Sequence, residues 1–367
     1  MQINIINNFI CGNLKGIDAE QYNEKVVMRQ LSSKFKDENI IFKFNSREDI
    51  VWDAVVVFGE FGGLPYNLKV CEGMLFFLAA EPPVVKVYSR QFMQQFDAVV
   101  TSHTNTKHPN VYLEQQSLLW FFGLELDFKN ENFDVNYNFA EIEALKPEKC
   151  KIISAWGTKR NFLPGHIERY KFIETLQKRY GSAIEVFGNG FNSLPDKAPG
   201  LLPFKFSICM ENCCINDYWS EKLADCFLGY SIPLYYGCKN IDNYFSPKSY
   251  IAIDLRNKKE TFRKIDDILH NADTIYEQMF PYLLESRNKL LYEYNIFPHV
   301  LNLMAKHNAK YNKNNIRTIT LQPESVFSDN VFPYKMLKIK RMMNKYFFWQ
   351  FYDKLMIKKN NFFSTTE

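Results

Sequence analysis

The chain lacks a long hydrophobic run. Its strongest apolar stretch, Met74 to Ala80, falls far short of the ~20 residues a bilayer-crossing helix needs, and no basic region precedes an apolar one at the N-terminus. The sequence therefore predicts no membrane span and no signal peptide, and a cytoplasmic location. Cysteine is sparse, with eight in 367 residues, which excludes a disulfide scaffold. Cys209, Cys213, Cys214, Cys226 and Cys238 gather in one region, but no Cys-x2-Cys pair or neighbouring His completes a ligand set. They are expected to be small buried hydrophobes in a reducing compartment, with no metal site. A GxGxxG fingerprint is also missing, Gly188-Asn189-Gly190 supplying only a fragment, so a nicotinamide cofactor is unsupported. No Ser/His/Asp or Cys/His arrangement stands in a recognisable context.

What remains is a globular composition, 46% hydrophobic and 23% charged, in a chain long enough for two domains. Charge is unevenly spread. Residues 331–359 hold eight Lys and Arg against Asp353, a local +7 in a chain whose total is +4, which leaves −3 for the rest. A slightly acidic body argues against nucleic-acid binding, which wants a basic face on the folded domain. In the tail, Met336, Ile339, Met343, Phe347, Phe351 and Leu355 recur at helical spacing beside Lys338, Arg341 and Lys345. Such a basic amphipathic helix suits peripheral membrane contact through residues 332–358 and equally suits docking on the protein's own domains.

Strand-like runs at Ile3–Ile6, Ile40–Phe44, Val51–Phe58, Met74–Ala80 and Ala98–Thr101 alternate with helical patterns at Glu24–Phe35 and Tyr88–Phe96. Alternation of this kind predicts an α/β fold with a parallel sheet covered on both faces. It resumes after a polar stretch at Asn130–Lys149, read as a linker, with strands at Lys151–Trp156 and Ala183–Phe187 around a helix at His166–Tyr180. The expected division is residues 1–149, 150–310, and a C-terminal extension at 311–367.

Residues Phe204 to Gly237 are the most informative segment. A strand with Phe204, Phe206, Ile208 and Met210 ends in Glu211-Asn212. A loop with Asn216, Asp217 and Tyr218 leads to Ser220-Glu221-Lys222 at the start of a helix. Leu223, Phe227 and Leu228 face a core, Gly229 lies near the helix end, and Ile232 to Gly237 reads as a second strand. Ligands of βαβ units bind at the carboxyl ends of the strands, where Glu211, Asn212, Tyr218, Glu221 and Lys222 all fall.

The order Phe204/Phe206, Glu211-Asn212, Tyr218-Trp219-Ser220-Glu221-Lys222 and Ile232-Pro233 with Gly237 resembles the donor-binding signature of glycosyltransferase family 10, the α1,3/α1,4-fucosyltransferases. Ser220 stands where the family more often has Thr. Arg169-Tyr170-Lys171-Phe172 through Leu176 is similar to the family's arginine-bearing helix. The resemblance implies a GT-B fold, two Rossmann-like domains facing a cleft with the donor held by the C-terminal half, and a bacterial-type member. It also implies GDP-fucose as donor substrate, no resident cofactor, and a glycan acceptor such as a lipopolysaccharide or capsule precursor. By the same resemblance Arg169 and Lys222 meet the diphosphate, Glu221 the ribose, and Asn212 and Tyr218 orient the donor.

An inverting sugar transfer also needs a base for the acceptor hydroxyl. The family's base follows an apolar strand near the start of the chain, as Glu81 does in Leu75–Pro83, with Glu60 the competitor. Ser102-His103-Thr104, Lys107-His108 and Trp120 are candidates for acceptor contact. Other readings are a different nucleotide sugar in the same pocket, or a non-catalytic carbohydrate-binding or membrane-associated scaffold.

Overall fold

A computed structural model describes residues 5–11, 25–33, 40–59, 61–116, 119–127, 132–159, 164–307 and 315–328. Glu60 and the basic tail at 332–358 lie outside the described residues. The first half contains strands Ile5–Cys11 (β1), Ile40–Phe44 (β2), Val51–Trp52 (β3), Ala54–Phe58 (β4), Tyr66–Cys71 (β5), Leu75–Leu78 (β6), Ala98–Thr101 (β7) and Val111–Leu113 (β8), with a short helix, Arg90–Met93 (α1). Six of them form a parallel sheet in the order β2-β1-β4-β6-β7-β8. Val55 to Val57 and Leu75 to Leu78 are buried without alternation, as a parallel strand covered on both faces requires. The expected single strand Val51–Phe58 is divided at the buried Asp53, and β3 leaves to pair with β5.

Residues 130–149 are not merely a connection. Leu124–Asp127 (β9) and Asn132–Val135 (β10) pair antiparallel, and Phe139–Ala144 (α2) follows. A capping box explains that helix: the Asn138 side chain accepts from Glu141 N–H, and the Glu141 carboxylate accepts from Asn138 N–H. Phe139 and Ile142, three apart on one face, are buried.

The second sheet comprises Lys151–Trp156 (β11), Ile184–Phe187 (β12), Phe204–Met210 (β13), Ile232–Tyr236 (β14) and Ile251–Ala252 (β15), all parallel in the order β12-β11-β13-β14-β15. Helices Pro164–Tyr180 (α3), Glu221–Leu228 (α4) and Lys258–Tyr292 (α5) accompany it. Each sheet reverses its strand order once, between β1 and β4 and between β11 and β13. Open α/β sheets bind ligands outside the carboxyl ends of the strands at such a switch point.

The division between the domains differs from the expected 149/150 and 310. Trp120 and Phe122 already belong to the second core. Ile296–His307 (α6) returns to the first, where Ile296, Phe297, Val300 and Leu303 are fully buried. The Phe297 ring packs 4.6 Å from that of Phe42. Ile316–Leu321 (β16) then joins β5 antiparallel. Both crossings are held by Gln30: Trp120 N–H donates to its Oε1 at 2.9 Å, and Asn295 Nδ2 to its backbone oxygen at 2.6 Å.

Candidate active site

The site grows from the end of β13. Its apolar side chains bury the strand up to Met210, and the next residue is an acid that is only 1% exposed, Glu211. Burying a carboxylate is costly unless donors surround it, and here they do. Ser220 N–H donates to Glu211 Oε1 at 2.8 Å and Ser220 Oγ to Oε2 at 2.6 Å. Ser220 is the N-cap of α4, its Oγ accepting from Lys222 N–H at 3.3 Å and from Lys222 Nζ at 3.1 Å. A hydroxyl has one donor and two acceptor positions, and this one uses all three. Gly237 completes the packing, since a Cβ there would stand 2.5 Å from Glu211 Cγ.

Charged groups then accumulate around this knot. Lys222 Nζ lies 2.9 Å from Glu221 Oε1 and 3.7 Å from Glu211 Oε2. Burial works against the lysine's charge, but the two carboxylates outweigh it and push its pKa up. Burial likewise resists ionisation of Glu221, yet Lys222 and Lys197 hold its carboxyl down at about 2. Lys197 pairs with the buried Asp225 at 2.6 Å, and Asp225 accepts from Phe121 N–H and Phe122 N–H, both at 3.0 Å.

Arg169 enters from α3. Gly165 makes this possible, because a Cβ there would meet Asn212 O at 2.1 Å. The helix start therefore lies directly on the exit of β13. Arg169 Nη1 donates to Met210 O at 2.9 Å. Burial lowers the arginine's pKa, against the supporting charges of Glu211, Tyr218 and Glu221. Arg169 Nε and Asn212 Oδ1 are both buried without a hydrogen-bond partner. A buried unsatisfied donor and acceptor at one place call for an explanation, and a polar ligand at the β11/β13 switch point supplies one.

A cleft of about 700 Å³ opens along the carboxyl ends of β13, β14 and β15, with Glu211, Asn212, Cys213, Cys214, Tyr236 and Arg256 among its walls. Of the expected donor residues only Asn212 lines it. Lys222 reaches Glu211 in its wall and carries Glu221 with it, while Arg169 bonds the backbone of Met210, one residue before Glu211. The cysteine expectation is corrected in part: Cys209, Cys226 and Cys238 are buried, but Cys213 and Cys214 are half-exposed cleft residues. Burial raises the thiol of Cys213 to about 12 and that of Cys238 to about 11, so both are neutral at pH 7.

Glu81 follows β6 at its carboxyl end and is exposed. Its N–H donates to Tyr88 Oη at 3.1 Å, and its carbonyl oxygen lies 2.8 Å from His103 Nε2. A carbonyl can only accept, so His103 carries its proton on Nε2 and presents Nδ1 as an acceptor when neutral. Burial lowers the pKa of His103, favouring that neutral form. Across the domain boundary, burial and the charges of Glu211, Glu221 and Glu81 raise the pKa of the Tyr218 hydroxyl well above the ordinary tyrosine range. Glu81 thus stands within electrostatic reach of Tyr218, one of the expected donor residues, though on the other domain.

Sequence reasoning placed Glu211 in the motif without giving it a task, and missed Gly165, Lys197 and Asp225. Asp225 had a readable signal, an acid inside the apolar run Leu223–Leu228. Lys197 had none, because its role depends on a loop brought back to α4.

Known proteins resemble this chain in sequence and in fold. Residues 144–312 match the family described as glycosyltransferase family 10 (fucosyltransferase), C-terminal. Over 188 residues the chain is 26% identical to the Homo sapiens 4-galactosyl-N-acetylglucosaminide 3-alpha-L-fucosyltransferase 9, covering 48% of this chain and 51% of that protein. Over 91 residues it is 32% identical to the alpha-(1,3)-fucosyltransferase FucT of Helicobacter pylori, covering 24% and 19%. The chain thus spans about half the length of the first of these relatives, or less. A crystal structure of an alpha1,3-fucosyltransferase superposes with a TM-score of 0.51 at 15% identity, covering 85% of this chain and 92% of the other, and shares the GT-B fold of two Rossmann-like domains. Residues 144–312, with the Glu211–Ser220–Lys222 knot at their centre, are thus similar to the C-terminal domain of glycosyltransferase family 10.

Proposed function

We propose that this protein is an inverting α-fucosyltransferase that moves fucose from GDP-fucose to a hydroxyl of a cell-surface glycan precursor, such as lipopolysaccharide or capsule, without a metal ion. The observation that carries the reading is the pair of unpartnered buried atoms, Arg169 Nε and Asn212 Oδ1, in the same cluster as Lys222 and inside the matched domain.

In this scheme the acceptor oxygen bonds to the anomeric carbon as the bond from that carbon to the diphosphate oxygen breaks. The acceptor proton passes to the Glu81 carboxylate. Negative charge grows on the departing diphosphate, where Arg169 and Lys222 stabilise it as fixed cations. Arginine's fork suits two phosphate oxygens, while lysine contributes a compact charge. Glu221, kept ionised by Lys222, is an acceptor suited to ribose hydroxyls. Asn212 and Tyr218 orient the donor. Cytoplasmic placement, with the basic tail resting on an anionic membrane surface, fits a precursor assembled on lipid.

A thermal-shift series with nucleotides tests the donor, since a ligand that binds only the folded state raises the midpoint by mass action. GDP and GDP-fucose are expected to raise it, UDP- and CMP-sugars to leave it in place, and Lys222→Ala to abolish the shift. A preference for UDP-sugars would overturn the reading.

A further inference from the structure

A second cleft, of about 570 Å³, lies where the two domains meet. Tyr88, Arg90, His103 and Lys107 come from the first domain, and Asn216 and Lys239 from the second. Glu81 borders it through its bonds to Tyr88 and His103. The cleft therefore occupies the acceptor side of the proposed base.

Its charge is one-sided. Arg90, Lys107 and Lys239 line it, and among the described residues no Asp or Glu does, Glu81 only bordering it. All three are exposed, and none makes an ion pair or side-chain hydrogen bond with a described residue. Three cations packed with the first domain are paired instead: Lys86 lies 2.8 Å from Glu324, Arg317 2.8 Å from Asp97, and Lys306 2.9 Å from Glu114. Three uncompensated cations in a concave wall raise the local concentration of anions. A neutral glycan would gain only ordinary hydrogen bonds from them, whereas an anionic one would gain charge-assisted bonds as well.

We propose that the acceptor carries an anionic group, a carboxylate or a phosphate, held by Arg90 and Lys107 with Lys239 closing the opposite wall, while its hydroxyl faces Glu81. Arg90 has the fork that grips two oxygens of either group. Tyr88 and neutral His103 add polar and aromatic surface for the sugar ring beside that charge. Lys239 also lines the larger cleft, so it joins the acceptor wall to the donor side. The inference rests on the fucosyltransferase reading for its account of the reaction, but the charge pattern is independent of it.

The test compares three acceptors with the full-length protein and labelled GDP-fucose: 4-galactosyl-N-acetylglucosamine, the same disaccharide capped with a sialic acid, and the same disaccharide bearing a phosphate. A charge-assisted contact changes affinity by about tenfold or more. One or both anionic acceptors are expected to show kcat/KM at least about tenfold above the neutral one at low salt, the gap narrowing as salt rises. Which of the two prevails identifies the group. R90Q/K107Q is expected to remove the gap while leaving the KM for GDP-fucose and the slow hydrolysis of GDP-fucose unchanged.

Equal or better use of the neutral acceptor, or wild-type selectivity in R90Q/K107Q, would overturn the proposal. If no acceptor is fucosylated and GDP-fucose is not hydrolysed, the donor reading fails instead. Direct titration of the sialylated and phosphorylated disaccharides into wild-type protein and R90Q/K107Q then decides the cleft separately. Binding lost in the double variant upholds it, and equal binding or none overturns it.

Discussion

Ser220 Oγ donates a 2.6 Å hydrogen bond to Glu211 Oε2 and accepts from both nitrogens of Lys222. One hydroxyl thereby solvates a buried carboxylate, starts α4 and orients the lysine. Ser220→Ala removes a cap worth about 1 kcal/mol and leaves Glu211 short of a donor at about 1–3 kcal/mol. A loss of about 2–4 kcal/mol in denaturant unfolding is expected, with weaker GDP binding. Ser220→Thr keeps the hydroxyl and is expected to stay within about 1 kcal/mol of the parent, in line with the wider family's preference. Equal losses in both variants would mean that the hydroxyl is not the operative group.

Two glycines are expected to be intolerant of a methyl group. Gly237→Ala drives a carbon to 2.5 Å from Glu211 Cγ, and Gly165→Ala one to 2.1 Å from a backbone oxygen. Overpacking of this kind costs about 1–3 kcal/mol. Gly165→Ala should also weaken GDP binding beyond its effect on stability, because it lifts α3 and with it Arg169. Retention of parental GDP affinity in Gly165→Ala would show that this approach does not position the arginine.

Glu81→Gln tests the base. Loss of general base catalysis lowers kcat by about 10²–10⁴, while the KM for GDP-fucose should hold, since Glu81 lies on the other domain from the donor residues. Near-parental turnover would remove Glu81 from the mechanism and leave Glu60 as the candidate.

Acid sensitivity follows from two carboxylates. Glu221 and Glu114 both titrate at about 2 in the folded protein, below their ordinary value of 4.5. Each pKa is depressed, so its stabilisation is complete above pH 4.5 and disappears as the pH falls toward 2. Each contributes on the order of 3 kcal/mol by this reckoning. Glu211, whose pKa burial raises, acts in the opposite sense and only above 4.5. Unfolding free energy measured from pH 5 to pH 2 should fall steeply, and less steeply in Glu221→Gln. An identical slope in that variant would remove Glu221 from the account.

Local signals were legible where chemistry and chain neighbourhood coincide. The end of β13 at Met210, the cap at Ser220 and the stop at Gly229 all follow from turn and cap residues that act within a few positions. The capping box at Asn138 and Glu141 was equally local, but the polar residues around it masked it as a linker. Other features depended on distant parts of the chain. Phe297 carries an apolar helix pattern that fits either core, and only its packing on Phe42 shows which one it joins. Cys213 and Cys214 share the composition of core cysteines, yet the turn after Asn212 carries them into a cleft wall.

Gln30 grips the chain where it leaves the first domain at Trp120 and again where it comes back at Asn295. Among the described residues the polypeptide therefore joins the domains twice, at points tied to a single residue. A single tether would permit the halves to swivel freely. A doubled one, clasped at Gln30, opposes twisting of one half against the other. The residues proposed for the donor and Glu81 lie on opposite domains, so the same clasp limits how far the two sides of the proposed site can twist apart.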